Sequence, residues 1–212
     1  MKVGILGAGR LAKSLAVALT KAGYSVMIGA RDLQKAQSLA GTMERFAQAG
    51  TLANTIHYAP ILILAIPYKA VPEVLTHADD YHGKILIDCT NPLVWRDGLA
   101  ELALKGETSA AEQIAKMAPQ AKVVKAFNTA FTELIEQGPF FGPVDGSMFF
   151  CGDDLEAKSA VAELIKATHF EPVDAGPLES ARLLEAMAAL IIRLGTHQGL
   201  GREIAFKLLK RS

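Results

Sequence analysis

Apolar and polar positions along the chain fall into two alternating rhythms. Val3 to Leu6 is a short unbroken apolar run, the pattern of a strand buried on both faces. From Arg10 to Ala22, Leu11, Leu15, Ala18 and Leu19 recur at helical spacing, and Gly23 supplies the stop. Ser25 to Ile28 predicts a second strand, and Asp32 is placed to cap a helix carrying Lys35, Ala36 and Leu39. Ile61 to Ile66, between Pro60 and Pro67, is the strongest strand signal, and Val71 to Leu75 opens another helix. Strands over Ile85 to Ile87 and Val123 to Phe127 bracket a helix near Ala110 to Met117. Further on, Met148 to Cys151 reads as a strand, Asp154 to Thr168 as a helix capped by Asp153 or Asp154, and Pro172 to Asp174 as a short strand. From Leu178 the pattern is helical to the end. Strands and helices in alternation require right-handed crossovers, so the fold class is α/β: a doubly wound, mostly parallel sheet with a helical C-terminal segment packed on it. No linker interrupts the chain. Residues 1–130 are expected to form the nucleotide-binding unit, and residues 131–212 to complete its cleft without folding independently.

Composition narrows the function classes. The 212 residues hold 22 Lys+Arg against 22 Asp+Glu, a formal net charge of zero. A nucleic-acid binder needs a basic face to neutralise phosphates, and a polybasic membrane-surface protein needs the same excess. Half of the residues are hydrophobic, which excludes disorder. Cys89 and Cys151 lie far apart, with no Cys/His cluster at zinc spacing, so each reads as a small buried hydrophobe and no metal site is expected. Met1 to Leu6 enters the strand pattern directly, without the longer apolar stretch of a signal peptide. The most apolar late stretch, Leu183 to Leu194, contains Glu185 and Arg193 and is shorter than the ~20 residues that span a bilayer. A soluble cytoplasmic protein is expected.

The sharpest motif is Gly7-Ala8-Gly9-Arg10-Leu11-Ala12, a G-x-G-x-x-A loop between a strand and a helix. Gly7 permits the tight turn, Gly9 lets a pyrophosphate approach the backbone, and Ala12 lets the helix pack on the strand. Free N–H groups of Gly7, Gly9, Arg10 and Leu11 and the helix dipole then favour an anion. This is the phosphate loop of a Rossmann domain. At the end of the second strand, where NAD-binding sites carry an acid, stands Arg31, followed by Asp32. A guanidinium there can grip a 2′-phosphate, so NADP is expected over NAD, with Lys35 in support. The alternative is a solvated Arg31 with Asp32 merely capping a helix.

Ligands of open parallel sheets bind beyond the carboxyl ends of strands. Ile66-Pro67-Tyr68, Thr90-Asn91-Pro92 and Asn128-Thr129 follow three predicted strands. Tyr68 offers a flat face to a nicotinamide or second ring, and Asn91, Asn128 and Thr129 offer hydrogen bonds. Each Asn reads equally well as ordinary turn chemistry. The chain has no Tyr-x-x-x-Lys pair and no G-x-S-x-G, and none of its five His stands beside an acid-base partner. Hydride transfer between stacked planar cofactors needs no protonating side chain and suits this inventory.

The same residues resemble the NADPH-dependent reductases of the deazaflavin coenzyme F-420. The resemblance spans nearly the whole chain. It includes the Gly7 loop, Gly29-Ala30-Arg31, Ile66-Pro67, Asn91-Pro92-Leu93, Cys151-Gly152-Asp153-Asp154, Asp174-Ala175-Gly176-Pro177-Leu178, Arg182-Leu183-Leu184-Glu185 and Gly199-Leu200-Gly201. The nucleotide domains of six-transmembrane metalloreductases are related to that family. The resemblance implies NADPH at the Gly7 loop and Arg31, and a deazaflavin or flavin near Ile66-Pro67-Tyr68, Asn91-Pro92-Leu93 and Asn128-Thr129. It also implies a homodimer. Leu183, Leu184, Met187, Leu190, Ile191 and Leu194 fit either an internal core or that subunit contact. The expected function is hydride transfer between NADP(H) and a planar acceptor, F-420 or a flavin, by positioning and without a catalytic side chain. NADP-dependent reduction of a small carbonyl or imine, and a non-catalytic NADP sensor, are the alternatives.

Overall fold

The computed structural model describes residues 1–211 except 44, 45, 79 and 105. Its strands are β1 (Lys2–Leu6), β2 (Ser25–Gly29), β3 (Ala47–Gly50), β4 (Ile61–Leu64), β5 (Ile85–Asp88), β6 (Leu93–Arg96), β7 (Leu99–Leu102), β8 (Lys122–Lys125), β9 (Phe140–Phe141), β10 (Val144–Asp145), β11 (Ser147–Gly152) and β12 (Glu171–Asp174). Its helices are α1 (Arg10–Lys21), α2 (Leu33–Ala40), α3 (Leu52–Tyr58), α4 (Val71–Leu75), α5 (Ala110–Met117), α6 (Thr132–Gln137), α7 (Leu155–Ala167) and α8 (Ala181–Ile192).

Among the described residues the main sheet has eight strands, in the order β3-β2-β1-β4-β5-β8-β11-β12. The first six are mutually parallel. β11 joins β8 antiparallel, and β12 runs parallel to β11. The expected mostly parallel, doubly wound sheet is therefore present. Its strand order reverses between β1 and β4, which opens a crevice at their carboxyl ends.

Helices cover both faces because both faces of the central strands are apolar. On one side Leu15 and Leu19 of α1 pack with Ala36 of α2, Ile135 of α6 and Val161 of α7. On the other, Ile56 of α3 packs with Val74 of α4, Ile114 of α5 and Leu184 of α8. Gly23, at φ 86, closes α1, and Asp154, not Asp153, caps α7 by accepting from the Ala157 amide. Among the described residues no helix is long and apolar enough to cross a membrane.

Several elements depart from the sequence reading. β3 and α3 carried no signal, since Ala-Gln-Ala-Gly has low β-propensity and pairs only because β2 offers a free edge. The hairpin β6–β7 stands off the main sheet on an Asp97-Gly98 turn with φ 50 and 79, the geometry of a primed turn. The segment after Leu178 is not helical to the end. α8 passes into one wide turn over Arg193–His197, and residues 198–211 have no regular structure. Gly199 and Gly201 adopt φ 73 and 80, which no right-handed helix accommodates, and the Gly201 amide turns back to the Gly195 carbonyl.

Candidate functional site

The two glycines of the phosphate loop do different work. Gly7 sits at φ 127, and its amide, expected at the pyrophosphate, instead donates to the Gly29 carbonyl at 2.7 Å. A Cβ there would collide with the backbone of Ala65. Gly9, at φ −90, has a backbone that any residue adopts, and a Cβ on it would meet nothing within 4 Å. Gly9 also stands at the N-terminus of α1, where no side chain caps the first-turn amides. The missing side chain thus faces open space at a helix start that no described side chain caps. The Arg10 side chain turns away to Glu133, at 2.6 Å.

Beside this loop lies a cleft of about 270 Å³ at the strand-order reversal. Gly7, Arg31, Lys35, Ile66 and Pro67, all expected at the site, line it together with Ala30 and Asp32. Leu52, Ala70 and Val74 add an apolar floor that the sequence did not mark. The volume lies just below the roughly 300–1,000 Å³ usual for pockets that take drug-sized ligands. Arg31 Nη1 donates to both carboxylate oxygens of Glu73 on α4, at 3.2 and 3.1 Å, across the cleft mouth. Asp32 caps α2 through the Lys35 amide and pairs with the Lys35 ammonium at 3.7 Å.

Tyr68, after β4, and Asn91, Pro92 and Asn128, after β5 and β8, lie outside the lining of that cleft. Tyr68 donates its hydroxyl to Gln113 at 2.8 Å. Its pKa is raised, first by burial and then by the nearby carboxylates Glu185 and Asp88. Asn91 and Asn128 clasp each other: Asn91 Nδ2 donates to the Asn128 carbonyl, and Asn128 Nδ2 donates to Asn91 Oδ1 and to the Leu184 carbonyl. Phe127, buried at φ 60, turns the chain sharply out of β8 to deliver Asn128. Asn128 Oδ1 and Thr90 Oγ1 are buried without a hydrogen-bond partner among the described residues. Pro92 is buried in the loop between them. Thr129 is brought elsewhere: it is buried, and its hydroxyl approaches the Met148 sulfur.

Under this loop cluster lies a charged group that the sequence reading missed. Lys125, fully buried, donates to Asp88 and Glu185 at 2.8 Å each and to the Thr90 carbonyl at 2.5 Å. Asp88 in turn accepts from the Thr90 amide, and Glu185 accepts from the Ala110 amide at the start of α5. Burial disfavours the Lys125 ammonium, but the two carboxylates outweigh it and raise its pKa. Burial raises the Glu185 pKa against the pull of Lys125. Its signal was present: a lone Asp and a lone Lys end apolar strands, and a lone Glu interrupts an apolar helix. Both cysteines are buried and free, and burial pushes the Cys151 thiol up to about 12.

Residues 2–92 match the family model for NADP oxidoreductase, coenzyme F-420-dependent. The F-420-dependent NADP reductase of Methanocaldococcus jannaschii is 30% identical over 208 residues, covering 92% of this chain and 92% of that protein. The chain belongs to this family. A crystal structure of a candidate F-420-dependent NADP reductase from an Arthrobacter species superposes with a TM-score of 0.88 at 30% identity, covering 99% of this chain and 100% of that one. Metalloreductase STEAP3 of Rattus norvegicus is 36% identical over 186 residues, and the match spans 88% of this chain but only 36% of that longer protein. NADP(H) is the dinucleotide of this oxidoreductase family, and the residues fit it. Gly9 leaves open the space a pyrophosphate needs, and the flanking cleft holds two cations.

Proposed function

We propose that this family member transfers hydride between NADP(H) and a planar acceptor, coenzyme F-420 or a flavin. The observation that carries the reading is the open face of Gly9 before the uncapped N-terminus of α1, beside a cleft lined by Arg31. The amides of Gly9, Arg10 and Leu11 hold the pyrophosphate, and Arg31 with Lys35 holds the adenosine 2′-phosphate. Bound NADPH supplies the hydride. Tyr68, Asn91, Pro92 and Asn128 shape the nicotinamide and acceptor side, whereas Ile66 and Pro67, expected there, line the adenosine cleft with Arg31; the unpartnered Asn128 Oδ1 is an acceptor suited to a carboxamide N–H. Thr129 supports that loop from the core. Residues 131–212 close the acceptor side, where the Leu184 carbonyl of α8 holds Asn128.

Positioning, with no side-chain acid, fits what surrounds that loop. Lys125 and Glu185 are buried and bonded to each other, and a Tyr68 hydroxyl with a raised pKa is a weaker acid than a free phenol. Mixing the protein with NADPH and either F-420 or a flavin, and following the nicotinamide absorbance, tests the reading. Turnover with one of these acceptors is expected. Oxidation of NADPH by a cyclic imine alone would replace it with the small-substrate reading, and tight NADPH binding without turnover would make the protein a sensor.

A homodimer is part of the same proposal. α8 buries Leu184, Ala188 and Ile191 internally yet leaves Leu183 and Leu190 68% and 48% exposed. Light scattering should give twice the chain mass; a monomer at micromolar concentration would refute the dimer.

A further inference from the structure

The cleft mouth is electrically balanced in a way that bears on which dinucleotide it selects. Arg31 and Lys35 bring two positive charges, while Glu73 and Asp32 bring two negative ones within ion-pair reach. Asp32 is occupied in capping α2 and is fixed there. Glu73 has no such duty. It comes from the opposite wall, next to the cleft-lining Val74, and its carboxylate meets Arg31 through both oxygens. The ion pair therefore closes like a bar between the end of β2 and α4.

From this geometry we propose that Glu73 is a specificity-determining residue that competes with the 2′-phosphate for Arg31 and so narrows the preference for NADPH over NADH. The inference rests on the reading of the cleft as the adenosine site. With NADH the bar stays closed, because a ribose hydroxyl makes no claim on the guanidinium. With NADPH the phosphate takes Arg31, and Glu73 is left beside a dianion, where like charges repel. The pair is 65% and 54% exposed at its two side chains, so opening it is cheap and Glu73 can swing into water. It tempers the preference without abolishing it. Neutralising Glu73 removes both the competitor and the repulsion.

The test is calorimetric or fluorescence titration of NADPH, NADH, 2′-AMP and adenosine with wild type, Glu73→Gln, Arg31→Ala and the double variant. Glu73→Gln should tighten NADPH and 2′-AMP by about three- to tenfold while changing NADH and adenosine by less than about twofold. The gain should shrink at high salt and vanish in the Arg31→Ala background. Glu73 lies on the surface, so the variant folds. Weaker NADPH binding in Glu73→Gln would show that Glu73 orders Arg31 for the phosphate, and equal changes for both dinucleotides would show no role in selection; either overturns the inference. Wild type that binds neither NADPH nor 2′-AMP would instead overturn the proposed function.

Discussion

At the scale of single residues, Gly7 and Gly9 separate the needs of the fold from those of the ligand. Any side chain at Gly7 must adopt φ 127 and push into the Ala65 backbone. A side chain at Gly9 meets only empty space and an ordinary backbone. Gly7→Val should therefore lose the folded state, whereas Gly9→Val should keep its melting behaviour to within about 0.5 kcal/mol and lose dinucleotide binding. Thermal melts paired with NADPH titration decide this; unimpaired binding by Gly9→Val would reduce the loop to a turn. The motif itself is legible in six consecutive residues. Glu73 is not, because it stands 42 residues from Arg31 and only the crossover from β2 to α4 brings the two together. Likewise Thr129 had the right residue type at a strand end, but the sharp turn at Phe127 sends it into the core.

At the scale of elements, one buried ammonium ties four segments together. Lys125 ends β8, Asp88 ends β5, Glu185 comes from α8, and the Glu185 carboxylate also receives the first amide of α5. Through the Thr90 carbonyl the same ammonium fixes the loop that carries Asn91. Lys125→Met leaves two carboxylates buried without a counter-charge and should cost about 3–5 kcal/mol in denaturant unfolding. Glu185→Gln keeps an oxygen for both donors while removing the surplus negative charge. Because folding raises the Glu185 pKa, this carboxyl favours the folded state below its unfolded pKa, and that contribution is lost as pH rises through the folded value. Relative to wild type, Glu185→Gln should therefore gain stability as pH rises above the ordinary carboxyl range. A pH-independent difference would mean that Glu185 does not titrate in this window. The apolar runs announced β5 and β8, but periodicity does not say which lone charges meet in space.

At the scale of the whole molecule, the C-terminal tail returns to the phosphate loop through one carboxylate. Glu133 accepts from Arg202 of the tail at 2.7 Å and from Arg10 of α1 at 2.6 Å. The Arg202 guanidinium also lies 4.6 Å from the centre of the Phe131 ring. Farther along, the Phe206 carbonyl accepts from the Ser147 amide, and the Leu208 amide donates to the Ser147 hydroxyl. Residues 198–211 thus gain their order from long-range contacts, so local periodicity misread them as helix. Partial burial raises the Glu133 pKa, but hydrogen bonds from Arg202, from its own backbone amide and from Thr132 bring it down to about 2. A depressed carboxyl stabilises the folded form above its unfolded pKa, and that support fades as pH falls toward the folded value. The tail of wild type should therefore keep its amide protection from neutral pH down to about pH 4 and lose it toward pH 2. In Glu133→Gln, hydrogen exchange at Gly201 and Leu208 should already be faster at neutral pH while the amides of β1 and β4 stay protected. Equal protection in the two proteins would show that Ser147 and the Phe131 ring hold the tail without the carboxylate.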